Sequence, residues 1–146
     1  EVIKVVIAFL HERRLDEYRQ LMGEKNIAKK ITRADVRRSV EAAWEYHNLP
    51  SFVAYQELVS AARTDDELGE VIEEFEKDFE KQFLLTAKTV FPQWRGVKSL
   101  QAAHDLVHFA MHGMATTYRC SKRKKRAESI IDLVTDQLVS IYKLES

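Results

Sequence analysis

Four glycines and two prolines are the only strong breakers in 146 residues. A chain so short of turn residues cannot make the many reversals of a β-sandwich or barrel; it favours a few long helices. Between the breakers, apolar residues recur at three- and four-residue spacing, the period of a half-buried helix. The length is that of one domain, residues 1–146, able to bury roughly 70% of its unfolded surface without staples. Together these features predict an all-α chain of about six helices in a single orthogonal or antiparallel domain.

The first helix is expected from about Val2 to Met22, stopped at Gly23. Its Val- and Ile-rich opening also suits a strand, but no partner strand exists elsewhere. The polar stretch 24–31 then reads as a connector. Thr32 opens the second helix, with Asp35 three residues on as a variant capping box. Pro50 suits the first turn of the third. Thr64 to Glu67 reads as a capping box with three acids in the first turn of the fourth, which Pro92 ends. The fifth runs from about Val97 to Tyr118 with apolar, small or His residues at alternating steps of three and four, a coiled-coil-like seam. Ser121 is placed to cap the sixth, which continues to about Leu144.

That closing helix is apolar over more than one stripe, so it must be buried on more than one side. The last two helices are therefore expected to pack on the body with one face and on a second copy with another, as an isologous four-helix bundle. Leu100, His104, Val107, Met114, Ile130, Val134, Leu138 and Ile141 are the residues assigned to that contact.

The charges cancel, 23 basic against 23 acidic, which argues against a nucleic-acid grip spread over the chain. A lone cysteine, Cys120, excludes an internal disulfide framework and any Cys-based zinc cluster. The apolar run from Val2 to Leu10 is too short for the ~20 residues that span a bilayer. A cytoplasmic protein with no membrane partner and no cofactor is expected. The helix from Thr64 to Gln82 carries nine acids against two bases, and residues 122–126 read K-R-K-K-R; both are taken as solvated surface. No Walker, G-x-S-x-G or H-E-x-x-H signature occurs, so no enzyme is expected.

Inward stripes on four helices carry Trp44, Phe52, Tyr55, Phe75, Phe79, Phe83, Phe109 and Met111. Ligand pockets in helical proteins form between helices, with apolar walls and a few polar groups. The expected ligand-binding set is Trp44, His47, Phe52, Tyr55, Gln56, Phe79, Phe83, His108 and Met111, although the same stripes would serve an ordinary core. His104, His108 and His112 stack at four-residue spacing, which can serve packing, ligand contact or a metal. Asp105 and His108 form one D-x-x-H, whereas a di-iron bundle needs two such motifs and two further carboxylates.

The stretch from Pro50 to Phe83, and above all Glu57 to Leu68 (E-L-V-S-A-A-R-T-D-D-E-L), resembles the C-terminal region of TetR-type transcriptional repressors. Gly113 within an apolar helix and the closing helix are similar to that family too. The resemblance covers the chain from about Thr32 onward. It implies a homodimer joined through its last two helices and a pocket for a small apolar or aromatic effector in each subunit. It also implies operator DNA as a partner, bound through a separate N-terminal helix-turn-helix domain. That domain is not in this chain, which opens on Glu1 without a methionine and is expected to be part of a longer protein. Two other readings stay open: a helical interaction module with a fully packed core, and a metalloenzyme built on His104, His108 and nearby carboxylates.

Overall fold

A computed structural model describes residues 1–22, 30–117 and 124–145. All regular structure in them is helical: α1 Val2–Met22, α2 Arg33–His47, α3 Pro50–Ala62, α4 Asp66–Val90, a 3-10 turn Pro92–Trp94, α5 Leu100–Thr117 and α6 Lys124–Glu145. No described helix is long and apolar enough to cross a membrane.

Local chemistry accounts for the ends. Thr32 and Asp35 form a reciprocal capping box at α2, with the Asp35 amide donating to Thr32 and the Thr32 amide donating to Asp35. Pro50 occupies the first turn of α3, where its missing N–H costs nothing. The cap of α4 is Asp65 rather than Thr64; Asp65 accepts from the Leu68 amide, and the Thr64 hydroxyl donates to Ala61 at the end of α3. A carboxylate satisfies that helix terminus better than a hydroxyl, because its full charge faces the positive end of the dipole. α5 begins at Leu100, three residues later than its seam suggested, since Val97 and Ser99 belong to the turn before it. The Ser99 amide donates to the Glu145 carboxylate at the far end of α6, closing the hairpin. The expected Gly23 stop, the connector and the Ser121 cap lie outside the described residues, apart from residues 30 and 31 of the connector.

α2 is the hub. It packs against α1 and α3 on one side and against α5 and α6 on the other. This divides the interior. One cluster joins Val36, Val40 and Ala43 of α2 to Trp94, Ala103, Met111, Met114, Ile131, Val134 and Leu138. A second joins Leu15, Tyr18 and Met22 of α1 to Ala42, Tyr46, Phe52, Phe79 and Phe83. A smaller one, Ile7, Tyr55 and Ile72, continues along α1. Outside, Arg33 and Arg37 of α2 pair with Asp132 and Asp136 of α6.

The second cluster is built around a cation. Arg14 is 1% exposed, its guanidinium 3.6 Å from the Tyr55 ring centre and 4.0 Å from that of Phe79. Its Nε donates to the Tyr46 hydroxyl at 3.1 Å and its Nη1 to Glu76 at 3.4 Å. Cation–π contact and a charge-assisted partner together offset the desolvation that an isolated buried guanidinium would suffer. Tyr46→Phe, which leaves the Arg14 Nε–H without its acceptor, is expected to lower unfolding stability by ~1–3 kcal/mol in urea titrations. A loss below ~0.5 kcal/mol would show that the hydroxyl is dispensable to the buried cation.

Candidate functional site, an apolar cavity between two cores

The backbones of α4 and α5 come close at few points at most, and the two larger clusters leave a gap between them there. The result is a cavity of ≈ 90 Å³, well above the ~10–15 Å³ that holds one water. Tyr18 and Met22 of α1 and Phe83 and Ala87 of α4 form one wall. Val36, Val40, Ala43 and Leu138 form the opposite wall, and Phe91, Trp94 and Leu100 close one end. Ala103, His104 and Val107 complete the lining from α5. No Lys, Arg, Asp or Glu lines this cavity.

Two polar groups stand out on this wall. The Ser39 hydroxyl donates back to the Asp35 carbonyl one turn earlier, which leaves its oxygen able to accept. His104 has both ring nitrogens buried and without a hydrogen-bond partner among the described residues. The nearest carboxylate, Asp105, is 3.7 Å from Nδ1, beyond hydrogen-bond reach. The Phe83 ring stands edge-on to the imidazole, centroids 4.2 Å apart.

Behind His104 runs a chain of imidazoles. His47 Nδ1 donates to the Ala43 carbonyl at 2.6 Å. A carbonyl only accepts, so this nitrogen carries the proton, and His47 Nε2 accepts from His108 Nδ1 at 3.1 Å. His112 stacks on His108 one turn further on. Burial disfavours the imidazolium in all of them. It pushes the His47 pKa down to about 3 against the opposing pull of the Ala43 carbonyl, and the His104 pKa down to about 4 with a smaller contribution from His108. His108 and His112 are lowered for the same reason. The site is therefore neutral at pH 7. No group of three or more His, Cys, Asp or Glu among the described residues is arranged to hold a metal ion.

Of the residues expected to bind a ligand, Phe83 lies on the cavity wall. The others are elsewhere. Phe79 and Tyr55 flank Arg14, and His47, Phe52 and His108 belong to the imidazole chain and the rings around it. Met111 is fully buried in the first cluster, Trp44 packs against that cluster, and Gln56 is half-buried on α3. The expected dimer set is displaced inward. Leu100, His104, Val107 and Leu138 line the cavity, while Met114 and Val134 are core and Ile141 packs on it. Ile130 alone of that set is exposed. Phe109, expected inside, is 66% exposed. Tyr18, Met22 and Trp94 were not anticipated, although Tyr18 and Met22 continue the stripe Ile7, His11, Leu15 along α1.

No protein-family model, curated protein or solved structure matches this chain.

The histidines make a pH prediction whose sign follows from linkage. Their folded pKa values lie below the unfolded value of ~6.5, so the unfolded chain takes up protons first as pH falls. Their contribution is complete above pH 6.5 and is lost as pH drops toward about 4 for His104 and about 3 for His47. The melting temperature is expected to fall between pH 7.5 and 5, and His104→Leu is expected to shrink that fall. An equal pH dependence in the variant would show that His104 is not desolvated.

Proposed function

We propose that this chain is the effector-sensing and dimerisation domain of a TetR-type transcriptional regulator. On this reading a small apolar or aromatic molecule occupies the cavity between α4 and α5. Its binding biases the DNA affinity of an N-terminal helix-turn-helix domain that lies outside this chain. The observation that carries the reading is the uncharged cavity whose wall includes Tyr18 and Met22 of α1. α1 is also the helix nearest any preceding domain. A ligand there touches the element that would transmit the signal.

Two surface features support the same reading. α5 and α6 expose Leu106, Phe109, Ile130 and Leu133, apolar area that one copy leaves in water. Gly113 lies one turn from Phe109 on α5, and a Cβ built on it would meet nothing within 4 Å. A helix-interior glycine costs about 1 kcal/mol relative to alanine, and no contact within the protomer requires it. Close approach of a second copy's helix accounts for it. At the other end, α1 exposes Val2, Val5 and Phe9 on successive turns, a row suited to a preceding domain.

The chemistry of switching is a difference in affinity. An effector shifts the equilibrium only by binding one arrangement of α1 better than the other. A coupling of ~1–3 kcal/mol corresponds to a 5–150-fold change in operator affinity. Two reading heads on a symmetric dimer must stand about 34 Å apart to meet successive turns of a palindromic site.

Sedimentation at micromolar concentration is expected to give a dimer. Phe109→Asp, at an exposed position that leaves the core intact, is expected to weaken it by ~30-fold or more, the scale of an interface hot spot. A monomeric parent protein would remove the dimerisation role.

A further inference from the structure

The cavity has a chemistry that narrows what it can hold. Its walls are aliphatic and aromatic, with no formal charge from Lys, Arg, Asp or Glu. An ionised ligand entering it would lose hydration with no counter-charge to replace it, a cost that burial makes prohibitive. A purely hydrocarbon ligand would leave the His104 nitrogens as they are, buried and unpaired. Buried polar atoms in native proteins are nearly always paired, so a pair of unpartnered nitrogens on a side chain that lines the cavity marks a place where a partner belongs. A neutral imidazole has one N–H donor and one bare acceptor nitrogen, which makes it a match for a hydroxyl. The Phe83 ring packs edge-on against that imidazole, and both nitrogens are buried, so the hydrogen bond needs a small turn of the imidazole toward the cavity on binding. The remaining aromatic lining is Tyr18, Phe91 and Trp94, and a volume of ≈ 90 Å³ limits the ligand to one ring at most.

We infer that the cavity binds a small uncharged hydroxylated aromatic molecule of the phenol class, with the hydroxyl hydrogen-bonded to His104 and the ring among Phe83, Trp94 and Tyr18. The inference rests on reading the cavity as an effector site and adds to it the ligand class and the residue that selects it. The Ser39 oxygen is a second acceptor on the same wall, available to a ligand with another donor.

Three one-ring probes of similar size test it: phenol, toluene and benzoate, titrated into the protein while the ¹⁵N resonances of the histidine rings are followed. Phenol is expected to bind about tenfold more tightly than toluene, the difference one neutral hydrogen bond makes, and to move the His104 ring nitrogens, which toluene leaves in place. Benzoate is expected to bind at least 100-fold more weakly than phenol, as its charge has no partner. His104→Leu should bring phenol and toluene within about twofold, and His104→Gln, which keeps a hydrogen-bonding group, should retain part of the preference. Ala103→Leu, which fills the cavity, should abolish binding of both. Equal binding of phenol and toluene to the parent protein, with the His104 nitrogens unmoved, would overturn the assignment of His104 while the effector reading stands. Benzoate binding as tightly as phenol would overturn the ligand class. No binding of phenol or toluene at millimolar concentration would overturn both the inference and the effector reading. The parent-protein resonances decide the matter even if a variant fails to fold.

Discussion

The burial of Arg14 determines how the rest of the molecule can be arranged. A guanidinium cannot sit in apolar surroundings without partners, and this one draws them from three other helices: Tyr46 of α2, Tyr55 of α3, and Glu76 and Phe79 of α4. Each partner must approach at a defined angle, because rings bind a cation through their faces and the hydroxyl binds it through a lone pair. The four helices are thereby held in a register that loose aliphatic packing would not impose. Tyr18 continues the same order, stacked on Phe83 at 3.7 Å and edge-on to Tyr46. Burial raises the pKa of both tyrosines, Tyr46 to about 12, so their hydroxyls stay neutral and usable as hydrogen-bonding groups.

The two halves of the interior pack by different chemistry, and the cavity lies where they meet. The α1, α3 and α4 side is ordered by ring and cation contacts, while the α5 and α6 side is a mainly aliphatic cluster without a buried charge. Where the two meet, α2 can satisfy both only along its own length. Beyond it, α4 follows the Arg14 side and α5 follows the aliphatic side, and their backbones come close at few points at most. Phe83 and His104 touch across the gap, and Phe91 packs against both clusters at its end. A void lined by apolar atoms forfeits dispersion contacts. A ligand that restores those contacts therefore gains from the start.

α2, α3 and α4 were legible in the sequence because each is written twice, once as a three-four apolar period and once as a cap or breaker. Thr32 with Asp35, Pro50 and Pro92 mark boundaries that the structure keeps. The interior was half legible. Periodicity identifies a buried face but not what it faces, so Phe79 and Tyr55 read as pocket walls when they are the flanks of a cation. Arg14 itself carried no sequence signal, since an arginine among apolar residues on a helix normally turns outward. On α5 the seam from Leu100 through His104 and Val107 to Met114 is a packing stripe, and within the protomer it faces the cavity and the first cluster. A single helix with two apolar faces gives no local clue to which one meets its own domain. Phe109 settles the direction only once α2 is in place, because it lies opposite the residues that α2 covers.

On the proposed reading, the same asymmetry supplies a path for the signal. α1 has 21 residues, about 30 Å of continuous helix, with Tyr18 and Met22 at the cavity and Val2, Val5 and Phe9 exposed at its other end. Arg14 lies between them and ties α1 to α2, α3 and α4, so a small displacement at Tyr18 cannot be absorbed by bending at that point alone. The helix must instead rotate or slide as a unit against its partners, and helices do so in discrete steps because packed side chains interlock. An effector that fills the void beside Tyr18 acts on one of two such positions. The rod converts that local preference into a movement of its exposed apolar row, which is where a preceding domain would feel it. The hydrogen bond between His108 and His47 adds a second tie. It joins α5 to the Ala43 carbonyl on α2 through two neutral imidazoles.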